Sequence, residues 1–323
     1  MDNLQPPLNG ETRKADPPKL DPDRLGFGVL IGTATAFAFG LGGFLLVYDE
    51  TGAMGAVLFL LLPIATGFAT ALVVRGRTIV TASLIIGLIF CSVVLLVTKM
   101  EGFVCVLMSA PLIAIGMTIG ALLGALVRRQ VIDKARSPRA MNLLLLLVLP
   151  LFLMGANTIE EPSRRIPRAE TFTSVLVLNA PPEKVWNAIK TMDHVSAHKG
   201  FLMKIGLPVP ISCSVDKEAV GGKRTCYFES GYIEELITEW DPPRSMKLEI
   251  TNWDVPGRPW LDFKDASYEF HQENGQTIMT RNTTIVSRLL PAWYWRRFEK
   301  IGVMTEHEYL FEAVKKRAEG DKK

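Results

Sequence analysis

The chain has 323 residues, 48% of them hydrophobic, and its 36 lysines and arginines against 33 acidic residues leave a net charge of only +3. So small and mixed a charge excludes the concentrated basic surface that nucleic-acid binding uses, and no zinc-finger spacing, arginine-rich run or RNA-binding signature accompanies it. Charge is confined to short gaps between Gly26 and Ala156 and becomes dense after Glu160, so the first half suits lipid and the second water.

Residues 1–25 are polar and contain five prolines, which predicts a disordered tail. The polar lead is too long for a cleavable secretory signal, and the apolar run behind it is long enough to span. Five apolar runs meet or approach the roughly 20 residues that a membrane span requires: 26–48, 53–74, 78–98, 103–127 and 140–156. The fifth is the shortest, and the charged, proline-punctuated segment 157–168 after it reads as a linker. Basic residues alternate between the gaps. Arg13, Lys14, Lys19 and Arg24 precede the first run, Arg75 and Arg77 follow the second, and Arg128, Arg129, Lys134, Arg136 and Arg139 follow the fourth. The other gaps hold Asp49 and Glu50, then Lys99 and Glu101. This pattern predicts a cytoplasmic amino terminus, a bacterial inner-membrane setting and, after five crossings, an extracytoplasmic carboxyl-terminal domain. Gly28, Gly32, Ala36 and Gly40 recur every fourth residue, as do Gly116, Gly120 and Gly124. Such faces serve either packing within a bundle or a homodimer interface. No ionisable residue lies inside a run, which argues against a pump or transporter.

Beyond the linker, Thr171–Leu178 alternates as a strand does, and Asn179-Ala-Pro-Pro182 turns the chain into a helix over Pro182–Met192. Strands are predicted over Ile211–Asp216, Lys223–Glu229, Tyr232–Trp240, Met246–Thr251, Trp260–His271 and Gln276–Ser287. Asn274-Gly275 forms the strongest hairpin turn, since both residues tolerate positive φ. A closing helix covers Pro291–Ala318. Strand, helix, several strands and a long helix predict a curved antiparallel sheet gripping that helix.

The segment Val177-Leu-Asn-Ala-Pro-Pro-Glu-Lys-Val-Trp-Asn-Ala-Ile189 resembles the opening of START-like domains, the polyketide cyclase/dehydrase and lipid-transport superfamily. Gly221-Gly-Lys-Arg-Thr-Cys-Tyr-Phe228, Glu239-Trp-Asp-Pro-Pro243 and the terminal helix fit the same order. The resemblance covers about residues 170–319, within a domain expected over 169–319 and followed by 320–323 as a tail. It implies an α+β helix-grip fold, following the α-helical membrane bundle, with an apolar cavity between sheet and long helix. It implies hydrophobic-ligand binding more readily than any one reaction.

Phe228, Trp253, Trp260, Phe263, Tyr268 and Phe311 are the candidates to line that cavity. No catalytic constellation stands out. His194 and His198 are four apart but lack further ligands, so no metal is expected, and His271 and His307 read as exposed. Gly221-Gly222 is a hairpin turn and not a phosphate loop, and no cofactor is implied. Cys213 and Cys226 flank the Val220-Gly-Gly turn symmetrically, which predicts a disulfide across a hairpin in an oxidising compartment. In Trp293-Tyr-Trp-Arg-Arg-Phe298, Trp293, Trp295, Arg296 and Arg297 are expected to meet the outer membrane surface, where aromatic and arginine side chains favour headgroups. The chain therefore reads as a membrane-anchored carrier or sensor whose partners are the membrane and a lipid or other hydrophobic small molecule. A cyclase, dehydrase or hydrolase acting on an apolar substrate in the same cavity is the alternative, and a regulatory protein with a vestigial cavity a second.

Overall fold

A computed structural model describes residues 22–48, 54–98, 100–255 and 260–320. The tail up to residue 21, the gap residues Asp49, Glu50 and Lys99, and residues 321–323 lie outside the described residues. The membrane half comprises α1 (Pro22–Val47), α2 (Leu62–Val73), α3 (Arg77–Val97), α4 (Phe103–Val127) and α5 (Pro138–Arg164). A wide π-helical turn, Val57–Leu61, leads into α2, and Pro63, which has no N–H to donate, lies just past it. Among the described residues, four helices are long and apolar enough to cross a membrane: those of α1, α3, α4 and α5. Leu30, Ile89, Leu122, Leu143, Leu147 and Leu151 are exposed on their outer sides. Apolar surface of this extent is consistent with an integral membrane protein.

Three expectations change here. The short helix is the second, Val57–Val73, and not the fifth, which has 27 residues. The segment expected as a linker from residue 157 is helical as far as Arg164, because its charges find partners. Glu160 accepts hydrogen bonds from the backbone N–H groups of Ala56 and Val57, so it caps the entry to α2. Only Arg165 to Pro167 then separate α5 from the first strand. The helix α1 likewise begins at Pro22, inside the segment expected to be tail.

The small-residue faces are used within the chain. Gly32 lies against Ser83 and Gly87 against Ala36, joining α1 to α3, while Gly116 faces Pro63 and Gly120 faces Ile64, joining α4 to α2. These contacts are packing within the bundle, the first of the two uses expected of such faces.

The second half contains β1 (Arg168–Leu178), α6 (Pro182–Lys190), α7 (Phe201–Lys204), β2 (Pro210–Val215), β3 (Lys223–Phe228), β4 (Gly231–Asp241), β5 (Ser245–Asp254), β6 (Leu261–Glu273), β7 (Gln276–Ser287) and α8 (Ala292–Glu319). The seven strands form one antiparallel sheet in the order β1-β7-β6-β5-β4-β3-β2. It is a curved half-barrel with the long α8, the helix-grip arrangement. Asn274 and Gly275 both take positive φ, +49° and +79°, at the β6–β7 turn. Gly231 is needed because a Cβ there would stand 1.4 Å from the Asp254 carbonyl oxygen. The core joins Val185, Trp186 and Ile189 of α6 to Ile237, Met246, Leu248 and Met279 of the sheet and to Leu310 and Val314 of α8.

The two halves share a second core. Leu289, Trp295 and the half-buried Trp260, Tyr294 and Phe298 pack with Phe44, Val47, Met54 and Phe59. The Trp295 and Phe59 rings are 4.6 Å apart, and the Leu290 N–H donates to the Met54 carbonyl at 2.9 Å. The helix-grip domain is seated on the bundle at the end of α1 opposite Arg24.

Candidate functional site

A cavity of about 1010 Å³ runs through this junction, at the upper end of the ~300–1,000 Å³ typical of ligand pockets. Its walls come from both halves: Phe44 of α1, Cys91 of α3 and Met108 of α4 at one end, and strands β2 to β7 with the inner face of α8 at the other. The lining is mostly apolar. Of the residues expected there, Phe228, Trp253, Trp260, Phe263 and Tyr268 are on the wall. Phe311 is not. It is one turn past His307, stacks on that ring at 6.2 Å, and packs into the core beneath α6.

The deep end carries charge that sequence reading missed. Arg224 of β3 is 2% exposed and is paired with Glu235 of β4, its direct cross-strand neighbour. Arg281 of β7 pairs with Glu306 of α8 at 2.8 Å and lies over the ring of Tyr268 at 5.4 Å. All five residues line the cavity. Burial works against the charge on both guanidinium groups. The adjacent carboxylates, Glu235 beside Arg224 and Glu306 beside Arg281, outweigh it and raise both pKa values. Burial also raises the Tyr268 pKa, against the pull of Arg281 and Arg224, so this phenol stays protonated at neutral pH. The signal was present in the strand alternation. Arg281 occupies the inward parity of β7 between Met279 and Thr283, and Glu235 sits between Ile233 and Ile237, all of them buried.

His307, expected to be exposed, is fully buried. Its Nδ1 is 2.7 Å from the Ser174 hydroxyl and its Nε2 is 2.8 Å from the Thr283 hydroxyl, so it pins α8 to β1 and β7. Burial, reinforced by Arg281, lowers its pKa from 6.5 to about 2. The folded state therefore holds the ring neutral while the unfolded chain protonates it below pH 6.5. Stability contributed by this site is present above that pH and is lost as pH falls, by about 1.4 kcal/mol per unit. Melting curves of the full chain should drop between pH 7.5 and pH 5 by about 2 kcal/mol, and His307→Gln should flatten the dependence. A wild-type curve that is flat over this range excludes the effect.

Cys213 and Cys226 are directly opposed in the β2–β3 pairing and form a disulfide. The aromatic–arginine segment divides by helical periodicity. Trp295 turns inward onto Phe59 and is 4% exposed, so it does not reach the outer surface. Arg296 is paired with Glu170 at 2.7 Å. Trp293 and Arg297 face outward. Among the described residues, no group of three or more His, Cys, Asp or Glu gathers as metal ligands would. His194, His198 and His271 are exposed.

No family model matches the chain, and no curated protein does either. Solved structures are similar at low identity. The Aha1 dimer from Colwellia psychrerythraea is 14% identical over 48% of this chain and 99% of its own, with a TM-score of 0.33. Ara h 8.0201 is 14% identical over 48% of this chain and all of its own, at 0.34. The di-domain ARO/CYC BexL from the BE-7585A biosynthetic pathway is 16% identical over 62% of this chain and 63% of its own, at 0.35.

Proposed function

We propose that the chain is a membrane-embedded helix-grip protein that binds a lipid or other hydrophobic small molecule, as a carrier or sensor at the membrane surface. The observation that carries this reading is the cavity itself, whose apolar walls are continuous from the helical bundle to the sheet. In this reading an apolar molecule held at the bundle end of the cavity reaches the sheet without crossing water, which removes the cost of exposing it. The open volume weighs against a vestigial, filled interior. The enzyme reading has one observation in its favour, the buried Tyr268 beside two arginines. Both carboxylates there are engaged by Arg224 and Arg281, which leaves no free base among them and favours binding.

In this reading the domain is extracytoplasmic. Arg24, Arg75, Arg77, Arg128 and Arg139 cluster at the bundle end away from the helix-grip domain, as the positive-inside rule asks of a cytoplasmic face. The Cys213–Cys226 disulfide suits the oxidising side, and the outward Trp293 and Arg297 are its headgroup contacts. An alkaline phosphatase fusion at Arg165 is expected to be active in a bacterial host and one at Arg136 silent. The reverse pattern overturns this orientation.

The function is tested on the full chain extracted into lipid nanodiscs, with mass spectrometry of what remains bound. A discrete apolar molecule should be enriched over bulk lipid, and Ala266→Phe, which fills the cavity from β6, should lose it while remaining folded. Recovery of the molecule chemically altered by wild type, but unaltered from Tyr268→Phe, would instead establish the enzyme. Equal recovery from wild type and Ala266→Phe rejects the binding reading.

A further inference from the structure

The deep end of the cavity is built from hydrogen-bond donors without matching acceptors. The phenol of Tyr268 makes no hydrogen bond with any described residue, although the residue is 1% exposed and lines the cavity. Arg281 uses Nη2 on Glu306, and its Nε and Nη1 are buried with no partner. Arg224 uses Nη1 on Glu235 and Nη2 on the Ile189 carbonyl, and its Nε is likewise unpartnered. Neither Glu235 nor Glu306 has a buried oxygen left unpaired. Leaving a buried donor unsatisfied is costly, so a group that accepts hydrogen bonds is favoured beside the Tyr268 phenol, which lines the cavity.

Charge narrows the ligand further. Two guanidinium groups are balanced by two carboxylates, so the cluster is neutral before anything binds. An anionic head would add an uncompensated buried charge, which is costly even beside donors. A cationic head would meet the donors' positive ends. A neutral acceptor meets neither penalty.

Resting on the binding function proposed above, we infer that the ligand is a hydrophobic molecule with a neutral carbonyl (a ketone, ester or quinone oxygen) that accepts from Tyr268 at the sheet. Its apolar remainder extends along the cavity towards the bundle. Arg281 is held against the Tyr268 ring and fixes the phenol's position, while Arg224 keeps the neighbouring wall rich in donors.

The experiment titrates the full chain in nanodiscs with four probes of equal length: 2-dodecanone, dodecane, dodecanoate and dodecylamine. Isothermal titration calorimetry reports occupancy by each probe. One hydrogen bond to a buried donor corresponds to about tenfold in affinity. The ketone should therefore bind about tenfold tighter than the alkane, and tighter than both charged probes. Tyr268→Phe removes only an unpartnered hydroxyl, so in a protein that still melts cooperatively it should abolish the ketone's advantage over the alkane. Equal binding of ketone and alkane overturns the acceptor site, and tighter binding of dodecanoate replaces it with an anion site. Retention of the advantage in Tyr268→Phe removes Tyr268 from the role. If no probe binds at all, the binding function fails and this inference fails with it. Binding of the alkane without a ketone advantage separates the second failure from the first.

Discussion

Replacing Glu235 by alanine is expected to lower the stability of the full chain by about 3–5 kcal/mol, with Tm in detergent or nanodiscs falling accordingly. Arg224 is 2% exposed, and among the described residues Glu235 is the one carboxylate paired with it. A guanidinium stripped of that partner retains its hydrogen bond to the Ile189 carbonyl but stays buried with its charge uncompensated. The cavity is too apolar to replace what is lost. Exchanging both members for apolar residues of similar size, Arg224→Met with Glu235→Leu, should recover most of the loss, because the desolvation cost of the pair then disappears with its attraction. If the single and double variants are equally destabilised, side-chain packing holds this region and not the pair. If neither is destabilised, Arg224 is hydrated in solution and the cluster is not the closed pole on which the carbonyl inference depends.

Much of the fold is legible in the sequence because two periodicities carry it. Strands β1 to β7 follow the alternation of apolar residues, and the Asn274-Gly275 turn fixes the β6–β7 register by its φ requirements alone. The disulfide follows from the symmetry of Cys213 and Cys226 about one turn. What local patterns do not carry is contact between distant segments. Glu160 looks like linker charge until Ala56 and Val57, about a hundred residues earlier, present unsatisfied N–H groups to it. Trp295 resembles an interface aromatic until Phe59 faces it. His307 sits among Glu306 and Glu308, a setting that suggests exposure, yet two hydroxyls on different strands enclose it. The cavity was legible as aromatics on the sheet. Its polar end is not legible in the same way, because charged side chains ordinarily mark the solvent face of a strand, whereas Arg281 and Glu235 follow the buried parity of theirs.

Gly120→Val should be the most damaging change in the membrane half. A Cβ at Gly120 would lie 1.9 Å from the Ile64 carbonyl oxygen and 2.7 Å from its carbon, both backbone atoms that no rotamer change can move aside. The reciprocal contact is as close, since a Cβ at Gly67 would stand 2.0 Å from the Met117 carbonyl oxygen. In lipid, helices associate through close packing and not through the hydrophobic effect, so forcing α2 from α4 removes the attraction that holds them. Overpacking of this kind costs about 3 kcal/mol or more, and α2 carries the Phe59 side that receives Trp295, so the loss should spread to the junction with the sheet. The expected result is a protein that elutes as aggregate, or melts far below wild type, with its cavity ligand gone. Gly42→Val is the control, because a Cβ there meets nothing within 4 Å, and it should behave as wild type. A Gly120→Val protein that keeps both its Tm and its bound ligand shows that α2 and α4 are not in backbone contact. The wall that Leu62, Pro63 and Thr66 lend to the cavity then belongs elsewhere.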